Sequence, residues 1–230
     1  MRQDLSVAAD KCPVLSRVSR SRRQELVSQA RIQTYEAGQT LYMHDMPADR
    51  CFVLLDGWVK LYRVRRDGEE AVIRVQAKGE TLGVNDAMRD GRYGHYASAV
   101  APSRAIVFPA KVMRRTLKVD TQFGEVLLHH LFEVNDQLHD HIETLKSMSA
   151  IERVASFLQV HARTQPDETA FTLPFDQVTL ARYLGIQPES LSRALRNLSG
   201  YGVRATRSRI EITDIAALNA LTQSSDDETH

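Results

Sequence analysis

The stretch LARYLGIQPESLSRALRNLSGYGV, residues 180–203, decides how the C-terminal part of this chain is read. Leu180, Leu184, Ile186, Leu191, Leu195 and Leu198 recur at spacings that keep one helical stripe buried, with a break at Gly185. The pattern predicts two short helices joined by a tight turn. The second opens near Pro188, where the missing proline N–H has no intrahelical partner to lose. Glu189, Ser192 and Arg193 then project from the N-terminal part of that second helix.

Charge around this stretch is uneven. The whole chain of 230 residues carries a net charge of only +1. Between Asp176 and Ile210, however, stand Arg182, Arg193, Arg196, Arg204, Arg207 and Arg209 against two acids, Asp176 and Glu189. Any one of these arginines alone reads as a solvated surface charge. Set on a helix-turn-helix followed by the hairpin-like VRATRSRIEIT, they read as a DNA-binding surface. Arg193 can donate two parallel hydrogen bonds to a guanine edge, and Glu189 can accept from a cytosine amino group. Ser192 is short enough to allow close approach to a base. Arg182, Arg196, Arg204, Arg207 and Arg209 suit phosphates, which position a helix without reading sequence.

Upstream the texture changes. Residues 14–30 predict a helix with Leu15, Val18, Leu26 and Val27 as its apolar stripe. From Ile32 to Phe108, short alternating runs are separated by the turn signals EAG, MPAD, LDG, RDG, AKGE and RDGRYG. One of them, GWVKLYRVRRDGEEAVIRV, reads as a hairpin hinged on Arg66, Asp67 and Gly68. Evenly spaced short strands predict a jelly-roll barrel. The expected fold is therefore α+β: a jelly-roll effector-sensing domain over 1–118, a dimerisation helix over 119–148, and a winged helix-turn-helix over 149–230. That long helix places Leu127, Leu131, Val134, Leu138, His141, Leu145 and Met148 alternately four and three residues apart. Such a seam suits a coiled-coil contact between two copies, and a homodimer is the expectation. The same stripe would also serve for packing on the barrel.

Bulk properties exclude several classes. Apolar content of 43% and charged content of 26% are those of an ordinary soluble globular protein. No apolar run approaches the length of a membrane span, and MRQDLSVAADKCPVL lacks a signal-peptide core, so a cytoplasmic protein with no membrane partner is expected. Two cysteines, Cys12 and Cys51, cannot build a disulfide framework, which fits a reducing compartment.

This order of elements over roughly residues 12–215 resembles the CRP/FNR family of bacterial transcription regulators. In the FNR branch the recognition helix carries E-x-x-S-R, and PESLSR supplies Glu189, Ser192 and Arg193 at that spacing. LGIQPESLSR is most similar to the Dnr/Nnr subgroup, whose members control denitrification genes in response to nitric oxide. The resemblance implies palindromic double-stranded DNA with TTGA-type half-sites and RNA polymerase as partners.

It also frames the effector. Cyclic-nucleotide-binding members cradle the ligand with Gly-Glu and Arg-Ser pairs. Here ETLGVNDAMRDGRYGHYASAV, residues 80–100, sets Val84 or Asn85 at the glutamate and His95-Tyr96 at the arginine-serine pair. Without that arginine the strongest phosphate contact is missing, so cyclic AMP is not the expected effector, although Arg92 lies on the neighbouring loop. An iron–sulfur sensor needs four cysteines, more than this chain has, so no such cluster is expected. The resemblance then implies haem, for which His95, Tyr96, His129 and His141 are candidates among eight histidines. The residues alone do not choose the ligand. Two further readings stay open: a CRP/FNR-type regulator with an organic effector, and a cupin-like metalloenzyme with an appended winged helix. The second is weak, because His139-Asp140-His141 lies on a helix, where residues two apart point to different faces. No signature of nucleophilic or paired-carboxylate catalysis stands out, and an enzyme is not expected.

Overall fold

The computed structural model describes residues 2–10, 12–163, 169–173, 175–206 and 209–223. The chain begins with three helices, α1 (Arg2–Asp10), α2 (Pro13–Ser16) and α3 (Arg20–Ser28). Strands β1 (Arg31–Tyr35), β2 (Thr40–Tyr42), β3 (Arg50–Asp56), β4 (Val59–Val64), β5 (Glu70–Gln76) and β6 (Thr81–Leu82) follow. A short helix α4 (Val84–Met88) leads to β7 (Tyr96–Ala99) and β8 (Ser103–Pro109). Next come α5 (Ala110–Val119), the long α6 (Thr121–Ser147) and α7 (Ala150–Ala162). The chain then runs through β9 (Ala170–Thr172), α8 (Gln177–Tyr183), α9 (Pro188–Asn197), a 3-10 turn (Leu198–Tyr201), β10 (Val203–Thr206), β11 (Arg209–Ile212) and α10 (Ile215–Gln223). Its contacts divide it into two units, Met1–Asn135 and Asp136–His230, so the division falls within α6.

In the first unit two antiparallel four-stranded sheets, β1-β8-β3-β6 and β2-β7-β4-β5, form the jelly roll. The β4–β5 hairpin pairs Val59 with Gln76 and Val64 with Glu70. Its turn lies where the sequence places it: Arg65 N–H donates to Glu69 O over 2.8 Å, and Gly68 takes a φ of 86°. Phe52 on β3 stacks on Tyr42 of the facing sheet with ring centroids 5.7 Å apart, which identifies the interior face. The other face of the β3–β8 pair carries Cys51, Val53, Ile106 and Phe108, which join Leu15, Leu26, Met113 and Phe123 in the buried core. The helix expected over 14–30 is instead two helices. Arg23 Nη1 donates to the carbonyls of Leu15 and Ser16, each at 3.2 Å, satisfying the end of α2.

Helix α6 opens on Asp120, whose Oδ1 accepts from Phe123 N at 2.9 Å and whose Oδ2 accepts from Arg22 Nε at 2.7 Å. Those two donors, the Phe123 amide first, hold the Asp120 carboxyl below its ordinary pKa. The first turns of α6 bury Phe123, Val126, Leu127 and His130. His130 Nε2 lies 2.7 Å from Thr81 Oγ1 on β6, and its Nδ1 is 3.9 Å from Glu133. In the second unit α7, α8, α9 and α10 enclose Val154, Leu158, Leu180, Leu191, Leu198 and Leu218, all fully buried. A three-stranded sheet, β10-β11-β9, flanks them.

Burial lowers the pKa of His130 in the first unit and of His161 in the second, so both fold as neutral imidazoles. A depressed folded pKa means that the unfolded chain binds more protons just below about pH 6.5, so stability falls as pH drops through that window. Urea midpoints for both units should therefore be lower at about pH 5.5 than at about pH 7.5. His161→Phe should flatten the decline for the second unit. Midpoints that do not move with pH would contradict the neutral, buried assignment.

Candidate nucleic-acid interface

Helix α8 is capped by Asp176, whose Oδ1 accepts from Thr179 N at 2.7 Å. It ends in a Schellman motif: Gly185 N–H donates to Arg182 O (3.3 Å) and Ile186 N–H to Ala181 O (3.0 Å). Gly185 has φ +65°, a left-handed conformation that a side chain resists. Pro188 then occupies the first turn of α9. Leu191, Ala194 and Leu195 face the core. Glu189, Ser192, Arg193 and Arg196 are all exposed. Their i, i+3, i+4, i+7 spacing gathers them on one face of α9, opposite Leu191 and Leu195. The Ser192 hydroxyl donates to Pro188 O at 3.0 Å, so its lone pairs are what it offers outward.

The wing is a true hairpin, pairing Val203 with Ile212 and Thr206 with Arg209. Arg204 on β10 is exposed, and Arg182 on α8 is half-buried. Arg209 Nε donates to Glu211 Oε1 at 3.0 Å. Both side chains of that pair are well exposed, so the contact is weak and does not withhold the guanidinium from a phosphate. Arg207 lies outside the described residues. The face that results is polar and cationic, with a rigid two-helix support beneath it. It has the chemistry to meet a duplex: charge for phosphates, a fork and a carboxylate for base edges.

The residues of the expected seam differ in exposure. Leu127 is 5% exposed and packs in the core of the first unit, so it is not available to a second copy of the chain. His141 is half-buried and stacks on Tyr183 of α8, with ring centroids 4.9 Å apart and an interplanar angle of 11°. Leu145 is half-buried and approaches Gly185 closely. Leu131 and Val134 are half-buried, and Leu138 is 37% exposed. The large apolar side chains that α6 leaves most open are Leu128 (50%), Phe132 (55%) and Ile142 (49%). Together with Leu131 and Leu138 they form a stripe turned about a fifth of a helical turn from the expected one.

In the sensor region Gly83 precedes α4 with φ +69°, and an added Cβ would stand 2.8 Å from the Tyr93 ring. Tyr93 stacks on Tyr42 at 3.9 Å, and Tyr42 OH lies 3.3 Å from His95 Nε2. Burial lowers the His95 pKa, the Asp86 carboxylate partly opposing it, and raises that of Tyr42. Asp86 is itself buried, accepting from Gly94 N at 3.1 Å and facing Arg89 at 3.2 Å. Sequence reasoning overlooked Tyr42, because only the fold brings it to His95, and gave no role to Tyr93 or Asp86, which lie in the same stretch as His95. Arg92 is bonded to the Asp45 carbonyl. Tyr96, the first residue of β7, stacks on Tyr62 at 5.3 Å. His129 is exposed on α6, and His141 belongs to the second unit. Within the first unit, His95 lies against Tyr42, Tyr96 stacks on Tyr62 and His129 is exposed. Among the described residues, no three His, Cys, Asp or Glu side chains form a metal-binding group.

Comparison with known proteins agrees with this architecture. Residues 32–120 match the cyclic nucleotide-binding domain, and residues 152–221 match the Crp-like helix-turn-helix domain. The solved structure of a candidate cyclic nucleotide binding protein of Ruegeria pomeroyi DSS-3 is 32% identical, covering 96% of this chain and 98% of that one, with a TM-score of 0.71. The global nitrogen regulator of Synechococcus elongatus is 28% identical over 173 residues, 73% of this chain and 78% of the relative. DNR from Pseudomonas aeruginosa is 28% identical, covering 95% of this chain and 96% of that one, with a TM-score of 0.52. Regulators, not enzymes, surround the sequence, and among the described residues no helix is long and apolar enough to cross a membrane. From its matched domains and its relatives, this chain belongs to the CRP/FNR family of DNA-binding transcription regulators.

Proposed function

We propose that the protein works as a homodimer that reads palindromic DNA of the TTGA type and answers to an effector other than a cyclic nucleotide. The observation that carries the DNA reading is the single exposed face of α9 bearing Glu189, Ser192, Arg193 and Arg196. Arg193 is assigned to a guanine and Glu189 to a cytosine amino group, with Arg182, Arg196, Arg204, Arg207 and Arg209 on phosphates. Arg193→Ala should cost about 1–3 kcal/mol and relax preference at one symmetric pair of positions. Arg196→Ala should weaken all sequences alike and flatten the salt dependence. Equal losses on cognate and scrambled DNA for Arg193→Ala would sink the assignment. RNA polymerase remains a partner implied by family alone.

The dimer is supported by the open stripe of Leu128, Leu131, Phe132, Leu138 and Ile142, an apolar surface that a lone helix would leave in water. A carboxylate there would be desolvated without a counter-charge once two copies meet. Phe132→Asp and Leu138→Asp should sediment as monomers and lose the palindrome, because two half-sites a helical turn apart need two reading heads. Dimers in both variants would place the interface elsewhere.

Two observations bear on the effector. Tyr42, Tyr93 and His95 occupy the region of the phosphate cradle, and a buried carboxylate, Asp86, stands beside them. That environment places no arginine-serine pair where a cyclic phosphate would be held, which supports the reading that cyclic AMP is an improbable effector. Haem is implied by the DNR-like branch. Of the four candidates, His95 is the half-buried imidazole that lies against Tyr42, itself stacked on Phe52 of the facing sheet, with burial favouring its neutral form. It would serve as axial ligand if its hydrogen bond to Tyr42 opened. An organic effector has its own support: Gln33 Oε1, Tyr35 OH and Gln76 Oε1 are buried without partners, on strand faces directed between the sheets. Haem reconstitution separates the two readings. A Soret band that is lost in His95→Ala supports haem, whereas an unchanged band in that variant removes His95 from the assignment.

A further inference from the structure

Arg153, on the first turn of α7, makes three hydrogen bonds to main-chain carbonyls and none of them lies within its own helix. Its Nη2 donates to Leu145 O at 2.6 Å, its Nε to Met148 O at 3.0 Å and its Nη1 to Leu184 O at 3.2 Å. Leu145 and Met148 stand at the C-terminal end of α6, and Leu184 is the C-cap of α8. Both helix ends carry carbonyls with no intrahelical donor and a partial negative charge, so one planar guanidinium closes two helices at once.

The surroundings tighten this junction. A Cβ on Gly185 would lie 3.2 Å from Leu145 Cδ2 and 3.7 Å from Arg153 Nη1, so the turn between α8 and α9 sits directly against the end of α6. Four residues before Leu145, His141 stacks on Tyr183. Tyr183 in turn meets Phe157 of α7 edge-on at 6.0 Å. The link between α6 and α7 is itself capped, with Ser149 N–H donating to Glu152 Oε2 at 2.6 Å.

We propose that Arg153 is a positioning residue for DNA recognition. It ties the α8–α9 turn to the C-terminal end of α6, so that the reading helix takes its orientation from the long helix and the His141–Tyr183 stack supports the same tie. Arg153 touches no base in this scheme. It governs whether two reading heads present themselves at a defined separation. The inference rests on the homodimer proposed above and on the reading face of α9.

The test compares binding to a single half-site, to the best-spaced palindrome, and to a palindrome lengthened by about half a helical turn, roughly 5 bp. In wild type the lengthened site should bind much more weakly than the best-spaced one. Arg153→Met keeps the aliphatic stem and loses the three donors. It should bind the half-site within about twofold of wild type and keep its preference for cognate bases, yet lose about tenfold on the best-spaced palindrome, with the spacing penalty correspondingly reduced. Tyr183→Leu, which leaves Arg153 intact, should move the same quantities in the same direction. If Arg153→Met fails to fold by circular dichroism, Arg153→Lys carries the test, because one ammonium cannot reach three carbonyls in a fixed fork. Proportional losses on half-site and palindrome, or an unchanged spacing penalty, overturn the proposal while leaving the dimer reading standing. A wild type indifferent to spacing overturns both.

Discussion

Helix α6 has to satisfy two cores with one continuous row of side chains. At 3.6 residues per turn a helix offers each neighbour only a stripe, and that stripe cannot be moved without breaking the helix. Its first turns give Phe123, Val126, Leu127 and His130 to the first unit. Its last turns give His141 to Tyr183 and Leu145 to the turn at Gly185. What remains open is the apolar set of Leu128, Phe132, Leu138 and Ile142. Each commitment constrains the next. A residue buried in the barrel core cannot also meet a second copy.

Arginine is used in this chain for two opposed purposes. Arg193 and Arg196 stand exposed on α9. Arg23 and Arg153 instead turn toward main-chain carbonyls and close helices. The same guanidinium serves both because it is always charged and offers five donors in one plane. Net charge therefore says little about the DNA face. Local placement on an outward surface, free of carbonyl partners, is what makes an arginine available to phosphate or base.

The interior of the jelly roll is aromatic where it meets His95. Two antiparallel sheets enclose an interior in which Tyr42, Tyr93 and His95 are packed together and an aspartate is buried alongside. Stacked aromatic rings and a neutral imidazole leave little room for water between them. The frame is that of the cyclic nucleotide-binding domain.

Much of this was determined by the sequence alone. The break at Gly185 and the proline after it prescribed two helices and a turn, because local backbone preference decides such features. Turn signals such as Arg66-Asp67-Gly68 likewise set the β4–β5 hairpin, and E-x-x-S-R placed Glu189, Ser192 and Arg193 on one face. These are short-range rules, satisfied within a few residues. Only tertiary structure decided the rest. A four-three apolar spacing states that α6 has a stripe but not which partner covers it, and so Leu127 and His141 were legible as a seam until the barrel and α8 claimed them. Tyr42 meets His95 across 53 residues of chain. Arg153, an ordinary charged residue in sequence, acquires its role only where the ends of two helices bring their unpaired carbonyls together.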